Sequence, residues 1–218
     1  MLTITKRRTR TKPRPKPEPA RKLPPSFGPT DNGRVMSPRE FDRGDFERGW
    51  RYELVNGVLI VSPAPVLNER DPNEELGRIL RNYQEYHPQG SALDVTVSEH
   101  DVETGDNRRR ADRAIWAGLG RLPRKNETPT ITVEFVSKDR RDWVRDYETK
   151  RDEYLDAGVL EYWIFDRFTE TLTVWTQKNG RRTKKVHSAN ETFSTQRLPG
   201  LVLGLRKLFD LAARWGDE

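Results

Sequence analysis

Cysteine is absent from this 218-residue chain, which removes disulfides and thiolate metal sites and fits a reducing, cytoplasmic setting. Histidine is scarce. His87, His100 and His187 share no paired ligand spacing, so no zinc centre is expected. No run approaches the roughly 20 apolar residues of a membrane span, and the opening residues lack the apolar stretch of a secretory signal. No repeat at a period of roughly 20 to 50 residues is visible, which argues against a solenoid.

Charged residues make up 34% of the chain and hydrophobic ones 33%, and the charge is unevenly spread. Residues 1–30 hold nine Lys or Arg, one acid (Glu18) and seven prolines. That segment carries a formal +8, so the +6 of the whole chain leaves −2 for the rest. The folded body is therefore no basic nucleic-acid-binding surface by bulk charge. A Pro-rich basic stretch with so few apolar residues cannot offset its ordering entropy, and residues 1–35 are expected to be a disordered tail. It reads as an arm for polyanions, as a solvated extension, or as sequence ahead of a start at Met36. Residues 36–218 are expected to form one domain.

Within that domain, Ser37 and Pro38 open a short helix reaching about Asp45. Two apolar runs around Asn56-Gly57 predict a type I′ hairpin, with Val55 opposite Val58 and Glu53 opposite Ile60. Leu76, Ile79, Leu80 and Tyr83 predict a helix over 73–86. Strands are expected in SALDVTVSEH, from about Asp112 to Ala117, around Glu134, and in LEYWIFD and TLTVWTQ, the last turning at Asn179-Gly180. A helix over 141–157 should close at Gly158, and a final amphipathic helix should cover 205–215. Hairpins, strands and an interposed helix argue for an α/β or α+β domain with a mixed central sheet.

Two positions break the apolar pattern. Glu134 stands among Val133, Phe135 and Val136, where an unpaired carboxylate would cost several kcal/mol. Lys150 completes a helical stripe of Trp143, Tyr147, Tyr154 and Ala157, where a leucine would be expected. Its bland reading is a snorkelling lysine whose stem covers apolar surface. The functional reading joins it to two carboxylates. If the strands of Asp112 and Glu134 are neighbours, the pair can hold Mg²⁺, which takes few protein ligands and keeps several waters, with Lys150 directed at the same place.

In order and spacing, YELVNGVL, RRADRAIW, VEFVSKD and KRDEYLDAGVLEYWIFD resemble the Uma-type family of the restriction-endonuclease-like PD-(D/E)XK superfamily. The likeness runs from about Met36 to Asp166 and more weakly to LPGLVLGLRKLF. It implies an α/β restriction-endonuclease-like core whose mixed central sheet is flanked by helices. It further implies Mg²⁺-dependent endonuclease activity on DNA, with Mn²⁺ as substitute. Asp112 and Glu134 match the family's metal ligands, Glu53 its additional carboxylate, and Lys150 a lysine moved onto the helix. The usual lysine position, two residues after the glutamate, is here Val136, and Lys138 reads as a solvated strand-end residue. Ala111 replaces the proline before Asp112, and Asn73 stands near a position where the family often has histidine. Ser137 is a candidate water or phosphate contact, whereas Glu161 and Asp166 are expected to be structural. DNA is the expected partner, with a homodimer as the expected assembly. The rival readings are a silent nucleic-acid-binding or interaction protein that keeps the fold, and a scaffold whose carboxylates and lysine form a buried ion network.

Overall fold

The computed structural model describes residues 24–136 and 145–216. A long pair of strands organises it. β5 (Leu93–Thr104) and β6 (Asn107–Ala117) pair antiparallel over nearly their whole length, while β7 (Ile131–Phe135) takes only Arg113–Ile115 of β6 and β3 (Trp50–Val55) only Arg108. A strand has two edges and β5 occupies one of them throughout, so β3 and β7 share the other. Between their contacts lie Arg109 to Asp112, where side chains replace the missing strand. The Arg110 N–H donates to Glu53 Oε1 at 2.9 Å, and Asp112 Oδ2 accepts the Phe135 N–H at 2.6 Å. The sheet forks at the position of the candidate aspartate.

The remaining strands are β1 (Ser26–Phe27), β2 (Asp45–Phe46), β4 (Val58–Pro63), β8 (Glu161–Asp166), β9 (Thr171–Lys178), β10 (Arg181–Ser188), β11 (Thr192–Phe193) and β12 (Leu203–Gly204). The helices are α1 (Pro38–Phe41), α2 (Leu67–Tyr86), α3 (Lys150–Asp156) and α4 (Leu205–Ala213). The main sheet runs β10-β9-β8-β7-β6-β3-β4, with β5 beside β6. β7 and β8 are parallel and the other neighbours antiparallel, so the sheet is mixed, as expected from the sequence.

β7 is buried at all five positions, because helices cover both of its faces. Val133 and Phe135 pack with Leu76 and Leu80 of α2 and with Leu208 and Phe209 of α4. On the other face, Val136 joins Tyr154 and Leu155 of α3, together with Tyr162 and Ile164 of β8. Side chains alternate along a strand, so Glu134 points away from the first core and toward α3. A third cluster, which includes Phe41, Tyr52, Leu54 and Leu59, closes the hairpin end of the sheet.

The hairpin has the expected register, with Val55 opposite Val58 and Glu53 opposite Ile60. Asn56 and Gly57 both sit at positive φ, as a type I′ turn requires. Other boundaries move. α1 ends at Phe41 rather than near Asp45, its Ser37–Glu40 capping box satisfying the first turn. α2 starts at Leu67, six residues before the expected start at 73. Pro72 hid this first turn because proline cannot donate to the carbonyl four residues back. β6 begins at Asn107, not Asp112, so Arg108–Arg110 lie in the strand. Each has an acid: Arg108 pairs with Asp42, Arg109 with Glu153, and Arg110 with Glu99 and Asp101.

Packed structure also reaches back before Met36. β1 pairs parallel with β2, and Phe27 is buried in the hairpin-end cluster. Phe27 is the only aromatic residue ahead of Phe41, and one buried ring anchors a segment whose prolines and charges read as tail. Residues 1–23 lie outside the described part. α3 is preceded by a π-helical turn, Arg145–Thr149, and ends with Gly158 at φ +97°, the expected left-handed terminator. Trp143, Ser137 and Lys138 lie outside the described residues.

Candidate active site

Four residues carry the sequence expectation, and the fold brings them to the fork. Arg113 stands opposite Val133, so continuing the antiparallel register by one residue sets Asp112 opposite Glu134. The strand ladder stops there. Asp112 uses its side chain to take the Phe135 N–H, which fixes one carboxylate oxygen beside the backbone that carries Glu134. Asp112 is 3% exposed and Glu134 1%.

Lys150 is buried, at 1% exposure, and is no snorkelling side chain. Its Nζ lies 3.1 Å from Glu134 Oε1 and 3.5 Å from Glu53 Oε1. Tyr154, one helical turn further on, donates its hydroxyl to Glu134 Oε1 at 2.9 Å. Burial, then the Glu134 charge, raises the Tyr154 hydroxyl well above its ordinary range, so it remains a hydrogen-bond donor. Lys150 and Tyr154 share one face of α3 by their spacing of four, and both are directed at Glu134.

Asp112 has a cation of its own, which the sequence reading did not find. Arg51 pairs with Asp112 Oδ1 and lies 3.3 Å from Glu99 Oε2. Burial works against the Arg51 charge, but Asp112, Glu99 and Glu134 more than offset it and raise its proton affinity. The signal was present in WRYELV: a period of two puts Arg51 on the same strand face as Glu53. Glu53 lies apart from Asp112 in its bonding. It accepts the Arg110 N–H, stands 3.7 Å from Arg109, and serves as the second counter-charge to Lys150.

Glu69, from the first turn of α2, also belongs to this region. It is buried, and burial followed by the Asp112 charge raises its carboxyl to about 7, with Arg51 opposing. A carboxyl raised in this way binds its proton more tightly in the folded than in the unfolded chain. Stability should therefore fall as pH rises from 4.5, the ordinary value, to about 7, by up to about 3 kcal/mol. In EDTA, Glu69→Gln should remove that loss, so urea unfolding of variant and wild type should agree at pH 5 and diverge by pH 8. Parallel stability curves would show that burial does not raise the Glu69 carboxyl.

Glu161 and Asp166 take structural parts. Glu161 accepts from Trp163 Nε1 and Thr195 Oγ1, and Asp166 accepts from the Tyr147 hydroxyl and the Phe168 and Thr169 N–H groups. Asn73 acts as a strut: its Nδ2 donates to the Asp112 carbonyl, and its Oδ1 accepts from Arg113.

The donor set fits a hard divalent cation in one respect and not in another. Among the described residues, no three Asp, Glu, Cys or His side chains stand together as a ready-made metal cage, and Glu53 Oε1 accepts the Arg110 N–H and lies 3.5 Å from Lys150 Nζ. Two carboxylates from adjacent strands, completed by water, match the habit of Mg²⁺. Each carboxylate oxygen has two lone-pair directions, so the hydrogen bond from Phe135 to Asp112 leaves that oxygen able to ligate. Arg51 is the competitor at the other.

Residues 38–206 match the family model Uma2, described as "Putative restriction endonuclease". The chain belongs to this family. Its fold is also that of a solved structure, "a putative nuclease belonging to DUF820" from Anabaena variabilis ATCC 29413, with TM-score 0.65 and 17% identity over 81% of this chain and 99% of the other. No curated protein matches the sequence. The restriction-endonuclease-like fold implied by the sequence motifs is thus the fold observed, and no helix among the described residues is long and apolar enough to cross a membrane.

Proposed function

We propose that this Uma2 protein is a divalent-metal-dependent endonuclease that hydrolyses phosphodiester bonds in DNA, at the fork between β6 and β7. The observation that carries the reading is the buried trio of Asp112, Glu134 and Lys150: two carboxylates facing across adjacent strands, with an ammonium 3.1 Å from the second. Asp112 and Glu134 would hold Mg²⁺ or Mn²⁺, which when bound would polarise a phosphoryl oxygen and make water a better nucleophile. Lys150 would hold the attacking water or stabilise charge gathering on the phosphoryl group. Glu53 would complete the metal site or orient its water, and Tyr154 positions Glu134. The low exposure of all three side chains strengthens each charge interaction.

A purely structural ion network is the second reading, and the pairing of every buried carboxylate in the trio with a cation favours it. Arg51 separates the two. If Asp112 is a ligand, Arg51 occupies its place in the absence of metal and must yield. Arg51→Gln should then lower the melting temperature in EDTA, because Asp112 loses its cation and Glu99 keeps only Arg110. It should also raise Mn²⁺ affinity on the order of tenfold, the effect of removing one charge-assisted competitor worth about 1.5 kcal/mol or more. Isothermal titration with Mn²⁺ reads this directly. Weak but measurable binding by wild type and tighter binding by the variant support the nuclease; no binding by either leaves the ion network.

A further inference from the structure

One buried cation is not used by this chemistry. Arg113 follows Asp112 on β6, is 4% exposed, and forms the floor of a cleft between α2 and β5. Glu74, Arg78, Arg81, Thr96 and Ser98 line the cleft with it. Its guanidinium is held entirely by neutral acceptors: Nε donates to Asn73 Oδ1 at 2.8 Å, Nη2 to the Asn73 carbonyl at 2.8 Å, and Nη1 to Thr96 Oγ1 at 3.1 Å. Those bonds use three of its five N–H groups. Gly77 of α2 makes the position possible. A Cβ there would lie 2.6 Å from Arg113 Nη2, so the helix accepts a glycine, at about 1 kcal/mol, where the guanidinium crosses it.

Arg81, on the rim, is likewise bound to neutral groups, the Thr96 carbonyl at 3.0 Å and Gln84 Oε1 at 3.3 Å. Among the described residues neither arginine has a carboxylate at ion-pair distance, unlike Arg78, which Glu75 engages. A buried charge without a counter-ion is costly, and here two positive groups line an open cleft whose buried arginine is one residue along β6 from the candidate catalytic aspartate.

We propose that this cleft is an anion subsite that takes a backbone phosphate of the DNA next to the phosphodiester that is cut, with Arg81 and Arg113 as its donors. The proposal rests on the nuclease reading for the identity of the polyanion. A phosphate would supply the missing negative charge and accept the two remaining Arg113 N–H groups and those of Arg81. It would also fix the register of the strand relative to Asp112 without reading its sequence, as phosphate contacts do.

The test is fluorescence anisotropy of a labelled DNA duplex titrated with full-length protein in EDTA over a range of salt, for wild type, Arg81→Gln and Arg113→Met. Far-UV circular dichroism checks that each variant is folded; Arg81→Gln is an exposed change that leaves the core intact. Loss of one phosphate contact should weaken binding by roughly 3- to 10-fold and reduce the slope of log affinity against log salt by about one. Mn²⁺ affinity should stay at the wild-type value in Arg81→Gln. If wild type binds and cleaves while Arg81→Gln binds with unchanged affinity and slope, the subsite is overturned and the nuclease reading stands. If wild type binds in an Arg81-dependent way but never cleaves, the subsite stands and the catalytic reading falls. If wild type neither binds nor cleaves DNA, both fall.

Discussion

Replacing Lys150 with methionine should cut metal-dependent cleavage of plasmid DNA by on the order of 10² or more, the effect of deleting one preorganised charge-stabilising group. The stem's length and apolar packing are kept, so the sequence pattern alone suggests that α3 docks as well as before. The geometry reverses that expectation for stability. Lys150 stands between Glu134 and Glu53, all three buried, and removing the shared cation leaves two buried carboxylates to repel one another. Breaking a buried ion pair from one side costs about 3–5 kcal/mol, so the variant's melting temperature should drop clearly in EDTA. Mn²⁺ should restore part of it, since a ligand that binds only the folded state stabilises that state. Lys138→Met serves as the control, and should the two substitutions trade effects, the working cation is Lys138 rather than Lys150.

Glu134→Gln is expected to have the next largest consequence. The amide keeps the side chain's volume and can still accept from the Tyr154 hydroxyl, now 2.9 Å from the carboxylate. The charge is what goes. Mn²⁺ affinity should fall beyond detection in a titration and cleavage with it, because one of two ligands is lost. A view of Glu134 as strained only by Asp112 predicts unchanged or greater stability. Its pairing with Lys150 predicts a loss of about 1–3 kcal/mol, the cost of depriving a buried group of its nearer partner. Combining the substitution with Lys150→Met should cost less than the two single losses together, since neither group is then left facing an absent partner. Additive losses would mean that the two side chains do not interact.

How far the sequence led can be argued from particular residues. The hairpin register was legible because Asn56-Gly57 allows one turn geometry, and that turn alone sets Glu53 opposite Ile60. Glu134 and Lys150 were legible as charges at positions of a periodic apolar pattern, and burial of 1% at each is what that anomaly implied. Arg51 was not, because a charged residue near the start of a hairpin strand normally faces water. Only the fork in the sheet, where the distant β3 shares one edge of β6 with β7, brings it to Asp112. Glu69 was hidden behind Pro72, which sets the expected helix start six residues too late. Arg108–Arg110 fall before the expected strand start at Asp112, since three consecutive cations rarely enter a strand; they do so here because distant acids meet each one. Tyr154 was read as core, and its hydroxyl's partner could not be known before β7 and α3 were placed together. Periodicity reports which face a residue takes, and contacts between distant segments decide what it meets there.

The most direct test is a cleavage assay of supercoiled plasmid DNA with wild type and Asp112→Asn, in EDTA and across a titration of Mg²⁺ and Mn²⁺. The account predicts nicked and linear products from wild type that appear only with metal, and none from Asp112→Asn at any metal concentration, although the variant remains folded. Cleavage that persists in Asp112→Asn, or that proceeds in EDTA, would contradict it.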